Sequence, residues 1–193
     1  MAKPAGSACN LDCAYCFYLS KRVLPGGPGS GHMPDEVLER FVKDYIDSVT
    51  SDEVVFSWQG GEPTLLGLEF FEKVVTLQAK HAKPGQRIEN DLQTNGTLLD
   101  DDWARFLKQH RFLVGLSIDG PREIHDHCRI TKHAEPTFDQ VFAAAKMLQK
   151  HGVRFNTLTC VHRYNASRPL DVYRFLRREI GSTYIQFIPI VEI

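Results

Sequence analysis

The sequence has no excess of charge of either sign and no long apolar segment. Its 193 residues carry 23 Lys and Arg against 24 Asp and Glu, a net charge of −1 at pH 7. No basic field therefore indicates nucleic acid or an anionic membrane as a partner. No apolar run approaches the roughly 18 residues that a membrane-spanning helix needs. Residues 1–7 lack the apolar core of a secretory signal, so we expect a cytoplasmic protein that binds neither nucleic acid nor membrane.

Cysteine is also scarce, and its distribution is uneven. Cys9, Cys13 and Cys16 lie close together, whereas the other two of the five cysteines, Cys128 and Cys160, stand far from them. A disulfide framework favours an even number of cysteines, wider spacing and an oxidising compartment. In a reducing compartment, clustered thiols are typical of metal ligands or catalytic groups. The segment 9–16 is therefore the first candidate for a functional site.

Patterns typical of strands and helices alternate along the chain. β-Branched and aromatic runs bounded by Gly, Pro, Asn or Asp predict strands at 54–58, 88–93, 112–118, 154–161 and 184–188. Apolar stripes with helical spacing predict helices that cover 37–46, 70–77, 99–107, 138–148 and 172–180. Pro63 suits the first turn of the second helix. Such alternation favours βαβ units and a parallel sheet.

The length of the chain indicates an incomplete barrel. A full barrel of eight units takes about 250 residues, or roughly 31 for each unit, so 193 residues correspond to six units. We predict an α/β fold, a partial (β/α)6 TIM-type barrel, with 1–193 as one domain. Only residues 1–8 are available for the first strand, which is expected to be short or clipped, and the last helix is missing. Residues 25–31, rich in Gly and Pro, predict a mobile loop.

The segment Cys9-Asn-Leu-Asp-Cys13-Ala-Tyr-Cys16 places three thiols on one tight loop just after the first strand. Parallel βα folds bind ligands at the carboxyl ends of their strands. Iron–sulfur cubes are held by thiolates, normally four, and three would leave one iron open to another ligand. Two simpler interpretations stay open: a structural zinc site, which usually takes four ligands, and a chance cluster of small core cysteines.

The spacing C-x3-C-x2-C, with an aromatic residue before the last cysteine, resembles that of the radical S-adenosylmethionine (SAM) superfamily. The resemblance implies that Cys9, Cys13 and Cys16 ligate a [4Fe–4S] cluster. The segment Gly60-Gly61-Glu62-Pro63 resembles the glycine-rich segment that holds the SAM amino group in that superfamily. Glycines let backbone carbonyls approach an ammonium closely, and Glu62 adds negative charge nearby. A tight strand-to-helix turn is the alternative interpretation of this segment.

Six segments extend the resemblance over nearly the whole chain, namely 3–7, 16–18, 58–64, 92–97, 115–121 and 186–189. They are similar to segments of the anaerobic sulfatase-maturating enzymes. The resemblance implies that the reduced cluster cleaves SAM to a 5′-deoxyadenosyl radical, which abstracts a β-hydrogen from the substrate. A cysteine or serine of an unfolded sulfatase peptide is thereby oxidised to Cα-formylglycine. An electron donor such as flavodoxin or ferredoxin is also implied.

The same resemblance assigns individual residues to the two ligands. It implies that SAM is contacted by Tyr15, by Gly61 at the amino group, by Ser117, by Arg129 at the carboxylate or ribose, and by Ile185 at the adenine. Gln59 would hydrogen-bond the substrate peptide. Without the resemblance, Ser117 is more typical of a turn at a strand end, Arg129 of a solvated surface charge, and Ile185 of a core residue.

The remaining polar and sulfur-containing residues match no ligand motif. Cys160 lies in an alternating strand and is expected to be a small core residue. His125, His127 and Cys128 form a His-x-His-Cys sequence, which we interpret as part of a charged surface loop rather than a metal site. Asn95 is interpreted as the first residue of an Asn-Gly turn.

The family also carries a C-terminal extension with two auxiliary [4Fe–4S] clusters and the aspartate that deprotonates the substrate. Cys128 and Cys160 are fewer than the four ligands that one such cluster normally takes. We therefore expect 1–193 to be a truncated core that lacks the auxiliary-cluster domain and this aspartate. Two alternatives to sulfatase maturation stay open: a radical SAM enzyme that matures another peptide, and a non-catalytic metal-binding module.

Overall fold

A single parallel sheet forms the centre of the computed structural model, which describes residues 1–18 and 32–190. The strands are β1 (Glu53–Trp58), β2 (Arg87–Thr94), β3 (Leu113–Ser117), β4 (Arg154–Val161) and β5 (Ile185–Pro189). They lie side by side in this order, and every neighbouring pair is parallel. Each bound lies within one residue of its prediction, so the strand predictions are confirmed. The sheet curls into a half-barrel, which confirms an α/β fold of the partial TIM-barrel type.

In the part of the chain that the structure describes, seven α-helices connect and cover these strands. They are α1 (Asp35–Ser48), α2 (Leu68–His81), α3 (Asp101–Gln109), α4 (Arg122–Cys128), α5 (Phe138–Lys150), α6 (Arg163–Ala166) and α7 (Pro169–Arg178). The five predicted helices are confirmed, whereas α4 and α6 are too short to show an apolar stripe in the sequence. The expectation for Pro63 is wrong, because Pro63–Leu66 is a separate 3-10 turn. Gly67, with a φ of 78°, ends that turn before α2 begins.

The hydrophobic core lies between the helices and one face of the sheet. Trp58 is fully buried there, stacked on Phe56 with ring centroids 5.9 Å apart and edge-on to Phe71 at 6.0 Å. Side chains alternate between the two faces of a strand, and the opposite, concave face is largely polar. It carries Ser57, Gln59, Asp91, Gln93, Asn156 and Gln186, which line a cavity of about 260 Å³. The two faces of the sheet therefore separate core residues from residues available to ligands.

The segment expected to hold the first strand makes only one bridge to the sheet. Ala2 pairs in parallel with Trp58; its N–H donates to the Ser57 carbonyl at 2.8 Å, and its carbonyl accepts the Gln59 N–H at 3.0 Å. The expectation of a short first strand is therefore met by a single bridge. The loop predicted at 25–31 lies outside the described residues. Among the helices that the structure describes, none is long and apolar enough to cross a membrane.

Candidate active site

A cavity of about 590 Å³ opens at the carboxyl ends of all five strands, within the size range of small-molecule sites. Its walls include the three clustered cysteines, and eight of the nine residues assigned by resemblance line it: Cys9, Cys13, Cys16, Tyr15, Gln59, Gly61, Ser117 and Arg129. The ninth, Ile185, does not line the cavity. The carboxyl ends of parallel strands meet at one edge of a sheet, which explains why residues so distant in sequence share this cavity.

The turn after β1 holds the start of the cysteine loop. The Gly61 N–H donates to the Gly6 carbonyl at 2.9 Å, and the Glu62 N–H donates to the Ala8 carbonyl at 2.7 Å. A Cβ atom on Gly61 would lie 1.9 Å from the Ala8 carbonyl oxygen, a distance that no folded chain tolerates. Glycine is required here because the two backbone segments touch directly.

The middle of the cysteine loop is held from the opposite side. The Asp12 N–H donates to the Ile130 carbonyl at 2.9 Å, and the Ala14 N–H donates to the Cys128 carbonyl at 2.8 Å. Within the loop, the Cys16 N–H donates to the Cys13 carbonyl at 2.8 Å. Backbone hydrogen bonds on both flanks therefore hold the segment that carries the three thiols.

Glu62 is a structural acceptor rather than a free charge beside a ligand. Its carboxylate is 1% exposed and accepts from the Thr64 N–H at 3.0 Å, the Thr64 hydroxyl at 2.7 Å, the Thr94 hydroxyl at 2.8 Å and the Asn95 N–H at 2.7 Å. Burial raises the pKa of this carboxyl, and these hydrogen bonds oppose the rise. The expected role of Glu62 as a nearby negative charge is thus secondary to its joining of two turns.

The thiols lie in a partly buried setting with hydrogen-bond donors nearby. The Leu11 N–H donates to Cys9 Sγ at 3.4 Å, and Asn95 Nδ2 lies 3.9 Å from the same sulfur. Burial raises the pKa of Cys9 and raises that of Cys13 to about 12. These thiols are therefore protonated at neutral pH, and a metal that bound them would have to displace their protons.

The three cysteines offer the donor type that an iron–sulfur cluster takes. Such clusters are held by cysteine thiolates, and all three thiols belong to one loop on one cavity wall. Within the described ranges, no group of three His, Cys, Asp or Glu side chains is placed to hold a single metal ion. The chemistry of the three donors therefore fits a cluster.

Arg129 is a buried cation on the cavity wall and not a solvated surface charge. It is 6% exposed, and its Nε donates to Asp119 Oδ2 at 2.9 Å. Its guanidinium carbon lies 5.5 Å from the centre of the Tyr15 ring, and the Tyr15 hydroxyl donates to the same Asp119 oxygen at 2.5 Å. The terminal amino groups of Arg129 stand outside the ion pair, so they are available to an anionic ligand.

Comparison with known proteins decides the family. The profile described as the Radical SAM superfamily matches residues 4–176, which include the cysteine loop and four of the five strands. The chain belongs to the radical SAM superfamily. It spans about half the length of the curated relatives that it matches.

Among its relatives, this radical SAM chain is similar to sulfatase-maturating enzymes of two types. It is 47% identical over 192 residues to a serine-type anaerobic sulfatase-maturating enzyme of Bacteroides thetaiotaomicron, covering 100% of this chain and 46% of that protein. It is also 47% identical over 189 residues to a cysteine-type enzyme of Clostridium perfringens, covering 97% and 50%. A structure of native anSMEcpe with bound AdoMet and Kp18Cys peptide superimposes with a TM-score of 0.91 at 45% identity, covering 98% and 50%.

The structure of the radical SAM chain corrects the sequence-based expectations for Cys160 and for the His-x-His-Cys sequence. Cys160 is not a core residue, because it lines the cavity with its Sγ 3.9 Å from Arg129 Nη2. His125, His127 and Cys128 do not form a surface loop; they belong to α4, where His125 and Cys128 are buried and only His127 is exposed. The helix α4 has only seven residues and buries one of its sides. Its sequence is too short to show which side faces the core.

Ile185 also lies elsewhere than expected. It begins β5, pairs with the buried Thr157 of β4 and packs against the core. Ile190 follows the carboxyl end of the same strand and lines the cavity. Alternation places Ile190 on the face of Gln186, opposite to Ile185. The isoleucine that lines the cavity is therefore Ile190, just after β5, and not Ile185.

Sequence reasoning missed two further residues of the site. Asn95 does begin the predicted turn, because its Oδ1 accepts the Thr97 N–H at 2.9 Å. Its Nδ2 also donates to Asn10 Oδ1 at 2.9 Å, which ties β2 to the cysteine loop. Asp119 matches no ligand motif in the sequence, yet its fully buried carboxylate holds Arg129 and Tyr15. Asn95 and Asp119 both follow the carboxyl end of a strand, and this position is the sequence signal that could have indicated the site.

Proposed function

We propose that this chain is the SAM-cleaving core of an enzyme that oxidises a cysteine or serine of a sulfatase peptide to Cα-formylglycine. The observation that carries the proposal is the convergence of three thiols, a glycine turn and a buried arginine on one cavity. Three thiolates bind a cluster and leave one iron for a further ligand. The similarity to serine-type and cysteine-type maturating enzymes supports the choice of substrate class.

In this proposal, Cys9, Cys13 and Cys16 hold a [4Fe–4S] cluster. When bound and reduced, the cluster supplies the electron that cleaves SAM to a 5′-deoxyadenosyl radical and methionine. The hydrogen bonds on the two flanks of the cysteine loop would keep the three cysteines on the cavity wall when they hold the cluster. The protein thus positions and shields chemistry that belongs to the cofactor.

The cavity walls offer complementary groups for each part of SAM. The turn at Gly61 brings backbone polar atoms to the cavity without a side chain in the way, which suits the amino group. Arg129 supplies a cationic fork for the carboxylate, and the Ser117 hydroxyl can hydrogen-bond the ribose. Ile190 offers an apolar contact for the adenine, the role that the resemblance had assigned to Ile185. Tyr15 closes the same wall beside the cluster loop.

The peptide substrate would enter beside Gln59, whose carboxamide can donate to and accept from a peptide backbone. The relatives include both substrate types at equal identity, so the proposal covers cysteine and serine. A flavodoxin or ferredoxin of the cytoplasm would supply the electron. We assign residues 1–193 to the core domain, and place the substrate-deprotonating aspartate and the auxiliary clusters outside them.

The first test is SAM cleavage by the chain itself. After anaerobic reconstitution we expect about four iron and four sulfide per chain, and formation of 5′-deoxyadenosine with dithionite and SAM. Cys13→Ala removes one ligand and should abolish both signals. Cys128→Ala removes a thiol whose side chain does not line the cavity and should retain both. Bound metal without SAM cleavage would instead indicate the non-catalytic module.

The second test concerns the substrate. A polypeptide of the length of the relatives is incubated with a peptide that contains Cys-x-Pro-x-Arg, and with its serine counterpart. Formylglycine is detected by mass spectrometry and by reaction of its aldehyde with a hydrazide. Cleavage of SAM with neither peptide modified would favour maturation of a different peptide.

A further inference from the structure

We propose that Asp119 is a positioning residue that orients Arg129 and Tyr15 together toward the SAM-binding cavity. The inference rests on the proposed function, because it concerns the same ligand. Asp119 is fully buried and follows β3, two residues after Ser117. It does not line the cavity itself, so any effect on the ligand passes through the residues that it holds.

The carboxylate of Asp119 gathers donors from three parts of the chain. Oδ2 accepts the Tyr15 hydroxyl at 2.5 Å and Arg129 Nε at 2.9 Å. Oδ1 accepts the backbone N–H of Cys160 at 3.0 Å. One carboxylate thus joins the cluster-binding loop, the segment after α4 and the carboxyl end of β4. Such a junction fixes the relative positions of groups that face one ligand.

The ion pair with Asp119 leaves the two terminal amino groups of Arg129 outside the pair. Arg129 binds Asp119 from the side, through Nε. Among residues 1–18 and 32–190, the guanidinium makes one other hydrogen-bond contact, the long one from Nη2 to Cys160 Sγ at 3.9 Å. A pair made through the terminal amino groups would consume the fork that recognises carboxylates. The side-on pair therefore compensates the buried charge without using the two terminal amino groups of Arg129, a residue that lines the cavity.

Asp119 is itself fixed from behind. Its N–H faces His125 Nδ1 at 3.5 Å, and His125 Nε2 lies 3.1 Å from the Thr137 hydroxyl. That hydroxyl donates to the Arg129 carbonyl at 2.7 Å, so the hydroxyl proton is already used and His125 must donate through Nε2. The neutral Nε2–H form leaves Nδ1 as an acceptor for the Asp119 N–H. The same contacts hold the backbone of both partners of the ion pair.

Two variants isolate this role. In Asp119→Asn the side chain keeps its shape, but one carbonyl oxygen replaces two acceptor oxygens that serve three donors. Tyr15→Phe removes only the hydroxyl that donates to Asp119. Asp126→Asn is the matched control, since Asp126 lies nearby in α4, accepts the N–H groups of Thr137 and Phe138 at 2.9 Å and does not line the cavity.

The experiment measures the SAM dissociation constant of each reconstituted protein, its iron content, and the electron paramagnetic resonance spectrum with and without SAM. We expect D119N to weaken SAM binding by about ten- to hundredfold at wild-type iron content, while saturating SAM restores most of the cleavage rate. Y15F should weaken binding by about threefold or more, since one hydrogen bond is lost. The double variant should be less weakened than the product of the two single effects, because both remove the same contact.

Several results would overturn the inference. These are a dissociation constant of D119N equal to that of D126N, or multiplicative effects of D119N and Y15F. If D119N does not fold, Y15F alone decides, and an unchanged dissociation constant rejects the role. Wild-type protein that binds SAM but does not cleave it would defeat the proposed function, while the binding constants would still test Asp119. Wild-type protein that does not bind SAM rejects both.

Discussion

Glu62 Oε2 accepts the backbone N–H of Asn95 at 2.7 Å, and so joins the turn after β1 to the turn after β2. The first turn holds the start of the cysteine loop, and the second places the Asn95 side chain near Cys9. The Glu62 carboxylate therefore ties together the two turns that position Cys9.

Replacing Glu62 by Gln should destabilise the fold although the shape is kept. The amide has one acceptor oxygen, so either the Asn95 N–H or the Thr64 N–H loses its partner. We expect a loss of about 2–3 kcal/mol in the free energy of unfolding, measured by urea denaturation. Glu69→Gln, an exposed change on α2, is the control. Equal stabilities of the two variants would contradict the assigned role.

Gly61→Ala should displace the cysteine loop from the sheet. The new Cβ would overlap the Ala8 carbonyl oxygen, and backbone on both sides leaves no rotamer to relieve the clash. We expect a cost of at least about 1–3 kcal/mol and a reduced iron content after reconstitution. Gly85→Ala, at a positive φ of 87° but with no neighbour within 4 Å, is the control for a general loss of stability, because it strains the backbone without a clash. Full iron content in G61A would show that the contact is dispensable.

Ile185 and Ile190 should respond differently to truncation. Ile185→Ala removes contacts with the core and should lower stability by about 1–2 kcal/mol, less than for a fully buried isoleucine, with SAM affinity unchanged. Ile190→Ala should weaken SAM binding with little loss of stability, because its side chain lines the cavity. Thermal unfolding and equilibrium dialysis separate the two effects. The reverse pattern would restore the original assignment of Ile185.

The stability of the chain should depend on pH through His125. Burial lowers the pKa of this histidine to about 3, whereas an unfolded histidine has a pKa of about 6.5. As pH falls below about 6.5, His125 of the unfolded chain binds a proton, whereas His125 of the folded chain stays neutral. The free energy of unfolding therefore decreases. At pH 5 the loss is about 2 kcal/mol relative to pH 7.5.

His125→Gln removes this titration, and the comparison of the two proteins isolates it. Urea unfolding of both at pH 7.5 and pH 5 should show a smaller pH-dependent loss in H125Q, by about 2 kcal/mol. The difference in the free energy of unfolding between wild type and H125Q at pH 7.5 measures the packing and hydrogen bonds that the substitution removes. If both proteins lost the same free energy of unfolding between pH 7.5 and pH 5, His125 would bind its proton as readily in the folded chain as in the unfolded chain.

Local patterns determined the elements and the centre of the chemistry. The strands at 54–58 and 154–161 follow from β-branched runs ended by turn residues, and the helices follow from apolar stripes, because both signals lie within one element. The three clustered cysteines carried a spacing specific enough to predict a cluster from eight residues of sequence. The resemblance added Ser117 and Arg129, and both line the same cavity as the cysteines.

Only the tertiary structure decided which side chains face the cavity and which groups support them. Ile185 and Ile190 have the same chemistry, and the register of β5 alone separates core from site. Cys160 likewise needed the end of β4 to be located before its sulfur could be placed beside Arg129. Glu62 and Asp119 act through partners tens of residues away, and no local pattern marks such partners. Burial of a charged group is a property of the packed sheet ends, so it emerges only when the strands are assembled.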